Sequence, residues 1–338
     1  MKPFSAWQRF FILYRYLRVR LVWLRTFLLP FWRKFIASYR QVLAPLSFLV
    51  LLGLFLSTQT PAFLTWHNLR TVAIQTVAVA ILAIGETVVI ISGGIDLSVG
   101  AVLALSGVTA VYVMREMGFP AWAGVLIGLA TGALCGLFNG WVTTRLRMPA
   151  FVVTLGMLGM ASGAALLISG GVSLTGVAPG FERLGKEWSL WVLLVVAVLF
   201  HLLLGFTKLG RYCYAIGGNA EAARLSGVSL VRYQSAYFVL CGLCAGLAGV
   251  LQASRATVAQ PTAGKGWELD AIAAAVIGGT SLMGGQGSIV GTLLGAFLMA
   301  IIRNGCNLLN VEVEWQQVLI GAMVIVAVFY DRWQRGKG

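Results

Sequence analysis

Charge is scarce in this chain, and acid is scarcer still. Only 11% of the 338 residues are charged, with 11 Asp+Glu against 25 Lys+Arg, where a soluble domain carries about 25%. Two histidines, His67 and His201, lie far apart, and five cysteines fall mostly inside apolar runs. These shortages exclude a zinc cluster or a disulfide framework and leave little material for acid–base catalysis. Cys241 and Cys244 have the spacing of a redox pair but lack strand–turn–helix surroundings, so packing is the expected role. There is no Walker A loop, no HExxH and no nucleophile elbow. No catalytic residue and no metal site is therefore assigned, and the chain has no motif for hydrolysing ATP. What fills the sequence is apolar: 59% of residues are hydrophobic and the mean hydropathy is +0.87. Lipid is the environment that solvates such a surface, which excludes soluble enzymes and nucleic-acid-binding domains.

Nine of the 25 basic residues fall in the first 40 positions, unaccompanied by acid. Arginines interrupt every stretch that could serve as a signal-peptide core, so the tail is expected to stay on. Trp7, Phe10, Phe11, Tyr14, Leu17, Leu21, Leu24 and Leu28 recur at helical steps up to Pro30. Residues 1–42 thus read as a basic interfacial helix on the cytoplasmic leaflet, or as a tail that only sets topology. Apolar runs near 43–58, 70–92, 97–114, 121–143, 150–169, 189–207, 233–254, 268–282, 287–303 and 313–331 predict about ten crossings within a membrane domain at 43–332. The run at 268–282 is short enough to be a half-helix. With the basic tail inside, an even count returns the 333–338 tail to the cytoplasm. It also places Arg145, Arg147 and the loop 208–232 inside and the loop 170–188 outside, as the positive-inside rule requires.

An internal repeat emerges from the glycines. Gly93-Gly94-x-x-Leu97-x-x-Gly100 recurs 185 residues later (93 to 278) as Gly278-Gly279-x-x-Leu282-x-x-Gly285, with Asp96 matched by Ser281. Both polar residues are expected helix N-caps after a glycine pair, so each site reads as a helix that stops and restarts, the mark of a two-halved transporter. Gly128, Gly132 and Gly136, flanked by Gly124 and Gly140, and Gly287, Gly291 and Gly295 form two ridges spaced by four, suited to close helix packing in lipid. Glu86 is the mid-span carboxylate, expected either to line a polar path or to pair at a helix interface. Asp96 is expected to cap rather than carry. Glu268 and Asp270 open the eighth run, and Gln75, Asn139 and Gln252 are polar residues within spans that nothing ranks.

The loop after the sixth run carries a local code for a helix of about two turns: Asn219 as N-cap, Glu221 in the first turn, Arg224 one turn on and Gly227 to close it. Such a helix is unstable alone. A cytoplasmic partner is expected to hold Asn219, Glu221, Ala222, Ala223, Arg224, Leu225, Ser226 and Gly227, with Ala222, Ala223 and Leu225 facing into it. The bland reading is a connector ordered by its caps.

Taken together, ISGGIDLSVG at 91–100, LGRY at 209–212, GGNAEAARLSGV at 217–228, AQPTAG at 259–264 and ELDAIAAAVIGGTSL at 268–282 resemble the permease subunits of bacterial ATP-binding-cassette sugar importers, in the ribose/xylose/arabinose branch. The likeness covers roughly residues 45–332. It implies an all-α membrane fold of two inverted halves like the cobalamin-type importers. It implies a second permease chain, identical or paralogous, a cytoplasmic ATPase that holds ATP and magnesium, and a periplasmic or lipid-anchored sugar-binding protein. A monosaccharide such as ribose is the implied cargo, and the bacterial inner membrane the location. The long arginine-rich tail and Glu86 depart from the family pattern. An ion-coupled secondary transporter of a small polar solute is the rival reading, which the shortage of mid-span carboxylates disfavours.

Overall fold

The computed structural model describes residues 29–335, and every named element in it is a helix. In order these are α1 (Leu29–Gln59), α2 (Trp66–Ile91), α3 (Val99–Glu116), α4 (Ala121–Arg145), α5 (Ala150–Ser169), α6 (Phe181–Lys186), α7 (Ser189–Phe206), α8 (Lys208–Gly218), α9 (Ala220–Leu225), α10 (Leu230–Ala256), α11 (Trp267–Ile277), α12 (Ile289–Leu308) and α13 (Val313–Arg335). The interfacial helix expected before Leu29 lies outside the described residues. α1 starts beside Pro30 and runs unbroken past position 42, with Pro45 inside it.

Seven helices among the described residues are long and apolar enough to cross a membrane: α2, α3, α4, α5, α7, α10 and α12. Three predicted runs take other forms. Residues 43–58 belong to α1, whose described apolar part is Leu43–Gln59, and 313–331 belong to α13. The run 268–282 yields α11, an 11-residue helix that ends at its glycine pair.

Hydrophobic residues surround α2 on all sides, and the structure places it accordingly. Every residue from Ala80 to Ile91 is buried, as expected for a helix apolar all round that sits at the centre of a bundle. α5 and α7 are equally apolar but mostly turn outward, with Leu155, Leu167, Trp191 and Leu199 exposed. Lipid or a partner chain is the surrounding that suits such exposure.

Glycine brings the inner helices together. A Cβ at Gly132 would fall on the Gly242 carbonyl, one at Gly136 on the Phe238 carbonyl and one at Gly128 on the Val250 side chain. The α4 ridge therefore lies against α10 backbone to backbone, as its spacing predicted. The second ridge needs correction: Gly287 precedes α12 in extended backbone at φ 158° and takes no part in a helical stripe. Gly291 and Gly295 do pack closely, against the Gly278 and Ala274 carbonyls of α11.

At one end of the bundle the 170–188 connection is tied to α10. Leu174 and Ala259 exchange backbone hydrogen bonds of 2.8 and 2.9 Å. Ser254 donates to the Phe181 carbonyl at 2.5 Å and accepts from Gly185 N at 2.7 Å. The chain from 257 to 266 then doubles back along α3, so that Gly264 packs on Gly100 and Leu103. α11 consequently starts within the bundle and leaves it at the other end.

Candidate functional site

The two glycine breaks end their helices in the same way. After α2, Gly93 takes the left-handed conformation at φ 88°; its N–H donates to Ile90 O at 2.9 Å and Gly94 N donates to Val89 O at 3.0 Å. After α11, Gly279 takes φ 91°, donates to Val276 O at 2.9 Å, and Thr280 N donates to Ala275 O at 2.9 Å. These are paired helix-terminating bonds around a residue that tolerates positive φ without a Cβ clash. The match corrects the register: the breaks correspond at an offset of 186 (93 to 279), one more than the glycine alignment suggested.

Neither Asp96 nor Ser281 is an N-cap, which is a second correction. Asp96 Oδ1 accepts from Ser98 N at 2.9 Å and from Ser98 Oγ at 2.5 Å, while Ser281 Oγ accepts from Met283 N at 3.3 Å. Both close a local turn two residues on, a bond these side chains make as readily as a cap. The cap positions are held by Ser98 for α3, which makes no side-chain capping bond, and by Ser288 for α12, whose Oγ accepts from Gly291 N at 3.1 Å.

The breaks also touch. Gly285 N donates to Ile91 O at 2.8 Å, joining the segment after α11 to the end of α2. Gly217, at the end of α8, is wedged between them: a Cβ there would strike the Ile91 carbonyl and come within 2.5 Å of Gly285 N. Tyr214 of α8 donates to Gly287 O at 2.9 Å, and Cys213 Sγ lies 3.3 Å from Val88 O. Thus α8 lies across the junction of the two broken helices. Sequence reasoning missed α8, although Thr207 followed by Gly210 carried its capping signal; Thr207 Oγ1 accepts from Gly210 N at 3.2 Å.

α9 follows α8 directly and packs on α8 and α10. Asn219 Oδ1 accepts from Ala222 N at 2.9 Å, and Gly227 closes the helix at φ 86°, both as the sequence predicts. Glu221 and Arg224 pair on the exposed side, at 2.5 and 3.0 Å. The guanidinium holds the Glu221 carboxyl below its ordinary value, and Glu221 raises that of Arg224. One residue of α9 departs from the expected facing, Ala223. Ala223 is buried against the chain itself, whereas Ala222 is exposed and Leu225 is 75% exposed. Ala223 is the anchor of α9, and Leu225 is what it displays.

The acids of the first break share a buried hydrogen-bonded network, in which Asn139 Oδ1 is left without a partner among the described residues. Glu86 is fully buried; its Oε1 accepts from Asp96 N at 3.0 Å and its Oε2 lies 3.8 Å from Cys241 Sγ. Asn139 Nδ2 reaches Asp96 Oδ2 at 3.3 Å and Ser98 Oγ at 3.0 Å. Glu86, Asp96, Ser98 and Asn139 therefore tie α2, α4 and the 92–98 turn together, which gives Asn139 a role that its sequence position did not reveal. Buried carboxylates need such donors to be tolerated. Cys241 and Cys244 pack beside Gly85, where a Cβ would come 2.8 Å from Cys244 Cβ. Among the described residues no group of His, Cys, Asp and Glu could hold a metal ion.

The arrangement is two interrupted helices that meet beside α8, with the short exposed helix α9 following it. Comparison with known proteins gives it a family. Residues 68–328 match the family model described as branched-chain amino acid transport system / permease component. Ribose import permease protein RbsC of Escherichia coli (strain K12) is 40% identical over 296 residues, covering 85% of this chain and 92% of that one. The Bacillus subtilis (strain 168) protein of the same name is 39% identical, covering 86% and 93%. D-allose transport system permease protein AlsC of Escherichia coli (strain K12) is 35% identical, covering 84% and 89%. No solved structure matches. The broken helices, the packed glycine ridge and these relatives agree, and the chain belongs to the family of transport-system permease components that this model describes.

Proposed function

We propose that this chain is the membrane permease subunit of an ATP-driven importer of a monosaccharide, a pentose such as ribose above other sugars. The observation that carries the reading is 40% identity over 85% of the chain to a ribose import permease; the allose permease at 35% keeps the class at sugars while widening the choice within it. The chain is not itself the ATPase. A cytoplasmic ATP-binding-cassette subunit holds ATP and magnesium and docks on α9. A sugar-binding protein delivers cargo to the opposite end, and a second permease chain, identical or paralogous, completes the pathway. In this reading the fold has about ten crossings in two inverted halves, as in cobalamin-type importers. It lies in the bacterial inner membrane with both termini cytoplasmic, and residues 208–232 form the coupling loop.

The rival, an ion-coupled transporter, would use Glu86 or Asp96 as carrier. Their hydrogen bonds within the bundle, Glu86 to the backbone of the 92–98 turn and Asp96 to Asn139, favour the structural role instead. Proteoliposomes decide between the two. Ribose uptake that requires ATP, the ATPase and the binding protein is expected; uptake driven by a proton or sodium gradient without them would refute the importer. A cysteine introduced at Ser226 is expected to react only with reagent on the cytoplasmic side.

A further inference from the structure

Away from the junction, α2, α10, α11 and α12 line a cavity of ≈ 180 Å³ that opens to the outside of the chain beside the exposed Gln75, many times the ~10–15 Å³ that one water requires. Its position is toward the far end of the bundle: Gln75 lies sixteen residues before Ile91, ~24 Å along α2 from the junction. Its lining is unusual for the interior of a membrane protein. Asp270 of α11, buried, pairs with Arg303 of α12, whose Nη2 lies 2.6 Å from Asp270 Oδ2. Arg255 of α10, Gln75 of α2 and the indole of Trp267 complete the polar wall, and Ala300 leaves space beside them.

A charged pair inside a bundle is costly unless something polar uses it. Arg303 could reach an edge by itself, its side chain being 42% exposed, but Asp270 at 3% draws it to the wall. The set offers a carboxylate as acceptor, guanidinium and amide groups as donors, and a flat aromatic ring. Neighbouring hydroxyls of a sugar donate to the first and accept from the second, and the C–H face of a sugar ring packs on the third. Asp270 neutralises Arg303, whereas Arg255, which donates to Gln252 Oε1 at 3.1 Å, keeps its charge; an anion held by Arg255 is the competing occupant that inorganic phosphate probes below. Of the four carboxylates picked out by sequence, Asp270 lines this cavity, and Glu86, Asp96 and Glu268 do not.

We propose that this cavity is a sugar-binding station on the transport path, with Asp270, Arg303, Gln75 and Trp267 as its contacts. The proposal rests on the sugar-importer reading and adds a site to it. Two measurements test it. In the first, Ala300→Cys in the otherwise unaltered chain, without binding protein, is labelled by a methanethiosulfonate reagent, with the unsubstituted chain as background. Ribose is expected to slow the labelling, and inorganic phosphate is not. In the second, the full assembly is reconstituted with Trp267→Ala or Gln75→Ala, and the ratio of ribose to allose uptake is measured. The ratio is expected to shift about three- to tenfold, the effect of losing one or two contacts. A merely structural role would lower both rates and leave the ratio unchanged. Unslowed labelling, or protection by phosphate in place of ribose, together with an unchanged ratio overturns the station while sugar uptake by the unaltered assembly persists. If that assembly takes up no sugar with ATP, the importer reading falls, and the station with it.

Discussion

Replacing Gly132 by alanine adds one methyl group where two backbones already touch. The new Cβ would lie on the Gly242 carbonyl and 2.8 Å from both the N and Cα of Gly246, against an ordinary contact distance of 3.4 Å or more. Neither neighbour can rotate away, because each is backbone of a helix. α4 and α10 must therefore separate by ~0.6 Å to clear Gly246 and by roughly 1 Å to clear the Gly242 carbonyl, and a gap of that order forfeits about a quarter to a half of the dispersion energy of each atom pair it opens. The opening spreads to Gly128, Gly136 and Gly140, which lie against Val250, Phe238 and Ser235 in the same way. Overpacking of this kind costs about 1–3 kcal/mol, and in lipid no hydrophobic effect between the helices offsets it. Cys241 and Cys244 are buried in α10 beside this contact, so a thiol-reactive dye in detergent reads its melting directly. Gly132→Ala is expected to melt several degrees lower than the unaltered chain, and Gly132→Leu to fail in assembly. Gly163 of α5 has nothing within 4 Å of a Cβ, so Gly163→Ala is expected to melt as the unaltered chain does. Equal melting of Gly132→Ala and the unaltered protein would refute the packing argument.

Leu225→Glu is expected to leave melting unchanged and to weaken co-purification with the ATPase, since Leu225 is exposed; Ala223→Trp, overfilling a buried site, should lower melting as well. Retained melting and undiminished ATPase binding in Leu225→Glu would remove α9 from the coupling role. Glu86→Gln keeps an acceptor for Asp96 N and is expected to retain ATP-driven uptake, whereas Glu86→Leu strands that N–H at a cost of about 1–3 kcal/mol and should lower melting; loss of uptake in Glu86→Gln would reopen the carrier role. The Glu221 carboxyl is lowered by Arg224, so their pairing is complete at neutral pH and is lost only as pH falls through that lowered value. ATPase binding is accordingly expected to be flat around neutrality, with Glu221→Gln removing any acid-side decline; a slope near pH 7 that Glu221→Gln abolishes would contradict this.

Local chemistry was legible from the sequence wherever one stretch of chain sets its own structure. Asn219, Glu221 and Gly227 encode α9 because a capping bond, a first-turn acid and a left-handed glycine act within one helix. The ridge at Gly128, Gly132 and Gly136 was equally plain, because a spacing of four fixes one helix face whatever the partner. The glycine pairs announced two breaks, yet aligning identical letters placed their correspondence one residue off: a helix end is defined by which residue takes positive φ, and that is the first glycine at 93 but the second at 279. Asp96 and Ser281 were mistaken for caps because the same side chains close turns equally well, and the neighbouring backbone decides which. Partners distant in sequence were out of reach. Nothing in the chain order brings Gly217 between Ile91 and Gly285, Asn139 to Asp96, or Arg303 to Asp270, because each pairing depends on how helices stack in three dimensions. The burial of Ala223 belongs here too, since a two-turn helix carries too few residues for a stripe to show its buried face, and Ala223 became the anchor only once α8 and α10 had taken their places.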